Sequence, residues 1–107
     1  FYWLVSNQAT DSMRRVSSLS NIKRYGLPNN ERHRLQLHFS RNCVDWCFAG
    51  MVACSTNELY SRNYPSAVIK GDDLHIVCRS ADEHALNPQY NNMITHHIVS
   101  NFRQLIY

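Results

Sequence analysis

The chain has 107 residues, of which 44% are hydrophobic and 18% are charged, and its formal net charge at pH 7 is +3. This composition is typical of one modest globular domain or of a piece of a larger one, and it excludes an intrinsically disordered chain. The positive charge is small and scattered, so nucleic acid is not an expected partner, and no apolar run approaches the ~20 residues that a membrane-spanning helix needs.

The first predicted element is an apolar strand over Tyr2–Asn7. Because the chain opens at this strand, with no methionine and no secretory signal before it, we expect a fragment whose amino-terminal part is missing. An extracytoplasmic or secreted protein is the expectation for the complete chain. Residues 8–32 follow as a polar stretch interrupted by glycine, proline and asparagine, which predicts a long solvated loop.

Two strands joined by a tight turn are predicted next. Arg34–Ser40 alternates polar and apolar residues, as a half-buried strand does, whereas Trp46–Cys54 is almost wholly apolar and is predicted to be the more buried strand. Between them, Ser40 and Asn42 have short polar side chains that can form hydrogen bonds with the turn backbone. The indole of Trp46 is predicted to pack beneath this turn.

Three more strands are predicted in the second half of the chain. Tyr64–Lys70 and Leu74–Ser80 are joined by a tight turn at Gly71–Asp73, and a last strand covers Asn92–Val99. No segment longer than a turn or two has helical periodicity, so the predicted fold is an all-β antiparallel meander. In the middle strand, alternation places Leu74, Ile76 and Cys78 on one face. It places His75, Val77 and Arg79 on the other face.

The lengths of the predicted connections alternate along the chain. Residues 8–32, 55–63 and 81–91 form long connections, whereas residues 41–45 and 71–73 form tight turns. In a meander, successive connections fall at opposite ends of the sheet. All three long connections are therefore predicted to lie at one end, which is where a ligand should bind.

The cysteines and histidines do not predict a metal site. Only one pair of the four cysteines is closely spaced, and His96 and His97, as neighbours on a strand, should point to opposite faces. Cys47, Cys54 and Cys78 are expected to serve as small buried hydrophobic residues. Neither a metal nor a cofactor is expected.

Several motifs resemble the carboxy-terminal part of the sialidase-like (BNR or Asp-box) β-propeller family. The matching features are the hairpin at Gly71–Asp73, the strand end at Arg79–Ala81, and the closing strand followed by Asn101–Arg103. The turn over Ser40–Trp46 is similar to the Asp-box motif Ser-x-Asp-x-x-x-Trp, with Asn42 at the position of the aspartate. An ordinary hairpin with a buried tryptophan is the alternative interpretation of this turn.

The resemblance implies about one and a half blades of a six-bladed propeller. Residues 1–54 would supply the last strands of one blade and residues 64–103 most of the next, with the remainder of the propeller chain as a partner. The implied function is that of a glycoside hydrolase of the exo-sialidase type when complete, acting on a carbohydrate ligand, although the isolated fragment is not expected to be active. The alternatives are a non-catalytic propeller module that binds a glycan or a protein, and an independent small β-sandwich binding domain.

Arg79 is the leading candidate for substrate binding, because it lies at the long-loop end of its strand and matches a strand-end arginine of the family. Its guanidinium can take a carboxylate or sugar hydroxyls in a bidentate manner, and the alternative is a salt bridge to Asp82 or Glu83. These two residues can also supply carboxylates for glycosidase chemistry, and Asp82 is the second binding candidate. Asn87, kept from the family's His-Asn-x-His-Asp loop, is the third. His97 is expected to be a packed core histidine, and no catalytic residue is assigned.

Overall fold

The computed structural model describes residues 1–7, 32–55, 60–85 and 91–107. The predicted long loop, residues 8–32, lies outside these ranges except for Arg32. Within the described ranges, no helix has the length and hydropathy needed to cross a membrane. The described residues form an all-β structure, as predicted, with six strands and a short 3₁₀ helix: β1 (Tyr2–Asn7), β2 (Arg34–Ser40), β3 (Trp46–Cys54), β4 (Arg62–Lys70), β5 (Asp73–Ser80), β6 (Met93–Val99) and the 3₁₀ helix Phe102–Leu105.

The strands form two antiparallel three-stranded sheets, and each sheet follows the chain order. The first sheet contains β1, β2 and β3, and the second contains β4, β5 and β6. All six strands predicted from the sequence are confirmed, although β4 begins at Arg62 rather than at Tyr64. The bounds of β5 and β6 differ from the prediction by one residue each.

The core lies between one face of each sheet. Leu35 and Leu37 of β2 and Leu74 and Ile76 of β5 are at most 2% exposed, as is Phe102 of the 3₁₀ helix. The predicted alternation of β5 is confirmed, because every second residue of this strand from Leu74 onward is buried. Burial of each such large apolar side chain stabilises the fold by roughly 1.5–3 kcal/mol.

The structure reverses the predicted burial of β2 and β3. β2 is the central strand of the first sheet and is largely buried, whereas β3 is an edge strand in which no residue is fully buried. Side chains alternate across β3, so Trp46 and Phe48 lie on the outer face and are 36% and 48% exposed. The predicted packing of the Trp46 indole beneath the turn is therefore wrong. The predicted burial of Cys54, the last residue of this edge strand, is also wrong, whereas Cys78 is buried as predicted.

The turn between β2 and β3 has the hydrogen bonds expected from its sequence. Ser40 Oγ accepts hydrogen bonds from the backbone N–H groups of Asn42 at 3.2 Å and Cys43 at 2.9 Å. Asn42 Oδ1 accepts from the backbone N–H groups of Val44 at 2.9 Å and Asp45 at 2.8 Å. The side chains thus satisfy four backbone donors that the tight turn would otherwise leave to water.

Two contacts join the sheets near the two ends of β1. The rings of Trp3 and Phe102 meet edge to face with their centroids 4.8 Å apart. Asn7 Nδ2 donates hydrogen bonds of 2.7 Å to the backbone oxygens of both Arg34 and Arg62. Because Arg34 begins the second strand of one sheet and Arg62 begins the first strand of the other, one amide group bridges the two sheets.

The tail that follows β6 returns to the first sheet. Arg103 donates a hydrogen bond of 3.0 Å to the backbone oxygen of Gly71, at the turn of the second sheet. Tyr107 then reaches the first sheet, where its hydroxyl donates to the backbone oxygen of Phe48 at 3.2 Å and its ring packs edge to face on Phe39 at 5.2 Å. The tail therefore links the tight-turn ends of the two sheets.

Both sheets have exposed apolar side chains on the face that points away from the core. Residues in direct register share a face, so the outer face of the first sheet includes Leu4, His38 and Phe48, and that of the second includes His75 and Ile98. The exposed large apolar residues of these faces are Tyr2 (55%), Leu4 (39%), Trp46 (36%), Phe48 (48%), Met51 (43%), Val68 (64%), Val77 (44%), Ile94 (73%) and Ile98 (53%). Isolated apolar residues on a surface are common, but two faces that repeat them strand after strand are typical of interfaces.

Candidate functional site

The strand ends next to the long connections are held together by hydrogen bonds. The backbone N–H of Arg62 donates to the oxygen of Arg32 at 2.7 Å, and that of Ala81 donates to the oxygen of Ser61 at 3.1 Å. The hydroxyl of Ser61 donates to Asn91 Oδ1 at 3.1 Å. These contacts join the described residues that border all three long connections. These bordering residues therefore meet at one end of the structure, in agreement with the predicted position of the long connections at one end.

Two arginines contact one tyrosine ring at this end of the structure. The guanidinium carbons of Arg32 and Arg79 each lie 5.3 Å from the centroid of the Tyr64 ring. Both distances are within the range of a cation–π interaction. We refer to these three residues as the Arg–Tyr–Arg cluster.

An irregularity of β4 turns Tyr64 outward. The pairing of β4 with β5 shifts register between Asn63 and Ser66, and Tyr64 has a positive φ of 48°. A bulge of this kind re-aims a side chain, and a positive φ in a residue other than glycine is uncommon. As a result, Asn63 is buried while Tyr64 is 62% exposed.

An open groove lies beside the Arg–Tyr–Arg cluster. Its volume is about 400 Å³, and residues of β1 and β4 form its walls. Arg79 is not among its lining residues, and its polar lining groups come from Ser6, Asn7, Arg32, Asn63 and Tyr64. Cationic, amide and phenolic groups therefore surround one depression, which suits a hydroxyl-rich or anionic ligand.

The salt bridge that is the alternative prediction for Arg79 is not formed. Among the described residues, Arg79 makes no ion pair with Asp82 or Glu83, and its guanidinium lies over Tyr64 instead. The Arg79 side chain is exposed, on the face of β5 opposite to the core. Its charge is therefore not neutralised by the neighbouring acidic residues and can act on a ligand.

Asp82 and Glu83 are held in their ionised forms by their hydrogen-bond donors. Asp82 Oδ1 accepts from Asn92 Nδ2 and from the backbone N–H of His84, both at 2.9 Å, and the bond from Asn92 is the main cause of the lowered pKa of Asp82. The hydroxyl of Tyr60 donates to Glu83, which lowers the pKa of Glu83 and raises that of Tyr60. A general acid needs a raised pKa, so neither carboxylate is suited to that role.

Among the described residues, three potential metal ligands come together in one place, which is this same loop. The ligand atoms of Asp82, Glu83 and His84 lie within 4.8 Å of one another. The carboxylates already have the hydrogen-bond partners given above, and exposed acidic groups commonly occur without an ion. The third predicted binding residue, Asn87, lies outside the described residues.

His97 faces the interior, as predicted, and is part of a hydrogen-bonded chain. Its Nε2 lies 2.9 Å from Thr95 Oγ1, which in turn lies 2.6 Å from Ser80 Oγ. Burial is the main cause of its lowered pKa, and the nearby charge of Arg62 adds to the shift. The environment thus keeps His97 neutral, which is typical of a packed histidine.

Arg32 and Tyr64 were not among the binding residues predicted from the sequence. The sequence places Arg32 in the long polar loop, where a solvated charge is the usual interpretation. It predicts Tyr64 at the start of a regular strand, and nothing in its local sequence indicates the positive φ that turns it outward. The position of Arg32 directly before a strand, at the predicted ligand end, is the one signal that points to it.

Comparisons of the chain with known protein families, with curated proteins and with solved structures found no match. The resemblance to the sialidase-like family therefore stays a prediction that depends on the sequence motifs.

Proposed function

We propose that the chain is part of a sialidase-like propeller and that the Arg–Tyr–Arg cluster binds an anionic, hydroxyl-rich sugar. The main supporting observation is the placement of two guanidinium groups over one exposed phenol ring, each 5.3 Å from its centroid. A guanidinium forms paired hydrogen bonds to a carboxylate, and the ring offers an apolar face to the carbon skeleton of a sugar.

The chemistry of the surrounding groups supports binding more than hydrolysis. The two described carboxylates at this end, Asp82 and Glu83, both have lowered pKa values and do not supply a general acid. Among the described residues, the hydrogen bonds of the Asp82 carboxylate all involve Oδ1, which leaves Oδ2 for a sugar hydroxyl. In this proposal the chain contributes ligand contacts, and the acid and the nucleophile of a complete exo-sialidase come from other blades.

The exposed outer faces of the two sheets support a propeller with further blades. In that architecture, neighbouring blades cover the apolar faces of each blade. Val68, Val77, Ile94 and Ile98 would contact one neighbour through the second sheet, and Phe48 and its neighbours would contact another through the first. The remainder of the propeller chain is therefore the proposed partner.

A non-catalytic propeller module that binds a glycan is the second candidate function. It is favoured by the same lowered pKa values of Asp82 and Glu83. The two candidates share the binding site and differ in whether the complete protein cleaves a sialoside. A fluorogenic sialoside assay on the complete protein separates them.

The binding proposal is tested by calorimetric titration of the chain with sialyllactose and with lactose, which lacks the carboxylate. We expect binding of sialyllactose only. The substitutions Arg79→Lys and Arg32→Lys keep the charge and lose the planar fork, so each should weaken binding by about tenfold, or about 1.4 kcal/mol, with a nearly unchanged Tm.

Arg103→Lys is the matched control, because Arg103 is an exposed arginine at the tight-turn end. It should leave sialyllactose binding unchanged. Equal affinity of the Arg79→Lys variant for sialyllactose, combined with a lowered Tm, would show that the cluster stabilises the fold and does not bind the sugar.

A further inference from the structure

Two histidines from neighbouring strands meet on the outer face of the second sheet. His75 of β5 lies opposite Ile98 of β6, and His96 lies opposite Val77, so the two histidines are diagonal neighbours on one face. Their Nδ1 and Nε2 atoms are 3.0 Å apart, and the rings are nearly parallel, with an interplanar angle of 22°. His97 points to the other side of the sheet and cannot join them.

We propose that His75 and His96 form a binding site for a divalent transition metal ion of the nickel or copper type. Imidazole is a preferred ligand of these ions. Two nitrogens that are 3.0 Å apart, each bonded to one metal at ~2.0 Å, subtend an angle of about 95° at the metal. This angle is near the right angle between adjacent ligands of a tetragonal site and well below the tetrahedral angle, so the spacing favours Ni²⁺ and Cu²⁺ over a tetrahedral Zn²⁺ site.

The hydrogen bond between the rings already brings one nitrogen of each ring to the place where an ion would bind. One ring donates its N–H to the other, so a single proton lies between the two nitrogens. A metal ion takes the place of this shared proton, and the ring that donated it takes up a proton on its other nitrogen, so that two neutral rings bind the ion with no net release of protons. The site is proposed for the isolated chain, in which His96 is exposed and His75 is partly exposed, so that water molecules would complete the coordination; a neighbouring blade on this face would take their place.

The surroundings of the pair limit the alternatives. The residues in direct register with it are Val68, Val77 and Ile98, which offer no competing ligand. Arg79 is the charged group farther along the same face of β5, and its guanidinium lies over Tyr64. The apolar neighbours on both sides therefore leave the paired nitrogens as the metal ligands at this place on the face.

The site is tested by titrating the full chain with NiCl₂ in a calorimeter, with Cys43 and Cys54 replaced by serine in every variant because exposed thiols compete for the ion. We expect one Ni²⁺ to bind per chain, and His75→Gln and His96→Gln each to weaken this binding by at least about tenfold, since each removes one of two ligands. Cu²⁺ on the same variants adds an electron paramagnetic resonance signal, in which hyperfine structure from two nitrogens is expected only when both histidines are present.

His84→Gln is the control, because His84 belongs to the competing group with Asp82 and Glu83. It should leave the tight binding unchanged. The proposal is overturned if His84→Gln removes the binding, or if the His75 and His96 variants, folded by circular dichroism, bind Ni²⁺ as tightly as the parent chain. The test is independent of sugar binding, since neither histidine belongs to the Arg–Tyr–Arg cluster.

Discussion

The side chain of Asn7 should contribute more to stability than its partly exposed position suggests. Its amide nitrogen donates hydrogen bonds of 2.7 Å to the backbone oxygens of Arg34 and Arg62, which belong to different sheets. Each such bond contributes about 1 kcal/mol, so Asn7→Ala should lower the free energy of unfolding by about 2 kcal/mol. Both oxygens would then need another donor, and the contact between the sheets would loosen at this end.

Asn7→Asp should be more harmful than Asn7→Ala, although aspartate has almost the same shape. An ionised carboxylate has no donor, and it would face two carbonyl oxygens that also carry partial negative charge. The cost of these unsatisfied and repelling groups is roughly a further 1–3 kcal/mol, which gives a total of about 3–5 kcal/mol. The same repulsion raises the pKa of the introduced carboxyl in the folded state above its usual value of about 3.9, so the difference between the two variants should shrink as the pH falls through this raised pKa and be lost below about 4.

Urea unfolding of the dilute chain, followed by tryptophan fluorescence at neutral and at acidic pH, measures these differences. Asn92→Ala is the matched control, because Asn92 also makes two hydrogen bonds, one to Asp82 Oδ1 and one from the Asp82 backbone N–H, but neither joins the two sheets. Both bonds are more exposed to solvent than those of Asn7, so this variant should cost less than Asn7→Ala. The reasoning is refuted if Asn7→Asp is no less stable than Asn7→Ala at pH 7. In that case the amide does not bridge the sheets in solution.

Three further predictions concern burial, charge and the outer faces. Trp46→Ala should cost only about 1–2 kcal/mol in urea unfolding, because 36% of Trp46 is exposed, and a loss of 3 kcal/mol or more would show that the indole is buried. Burial lowers the pKa of His38 and His97 below the ordinary value of 6.5, so the unfolded chain binds more protons below that pH. The free energy of unfolding should therefore be highest above about pH 7 and fall towards pH 5. His97→Asn should make this fall smaller in denaturation curves recorded across that pH range. An unchanged fall would contradict the lowered pKa of His97. Finally, the isolated chain should self-associate at concentrations above those of the unfolding experiments, whereas Val77→Lys with Ile94→Lys should yield monomers in sedimentation velocity; a parent chain that stays monomeric at these concentrations would instead indicate a small independent domain.

The positions of the strands could be predicted because they depend on local patterns. The alternation of Leu74, Ile76 and Cys78 indicates the buried face of β5 directly, and the short polar side chains of Ser40 and Asn42 indicate their turn. The relative burial of β2 and β3 could not be predicted in this way. A run of apolar residues does not show whether a strand is central or at an edge, and this depends on the order of the strands in the sheet.

For a similar reason, the sequence predicts only part of the candidate site. Arg79 was identified because it ends a strand at the side of the long connections. Tyr64 depends on a register shift and a positive φ, and the pair of His75 and His96 depends on which residues of β5 and β6 stand opposite each other. The register depends on how two strands pair, so the periodicity within one strand does not predict it.

The return of the tail to the first sheet has a consequence for the order of folding. The hydrogen bond from Tyr107 to Phe48 joins residues that are 59 positions apart, whereas the turns at 41–45 and 71–72 close over a few residues. Closing a long loop costs more chain entropy than closing a short one, and contacts of high sequence separation slow folding. We therefore expect the hairpins β2–β3 and β4–β5 to form early and the tail to dock last, after the rate-limiting step, so that replacing Tyr107 with Phe should mainly accelerate unfolding and leave the folding rate nearly unchanged.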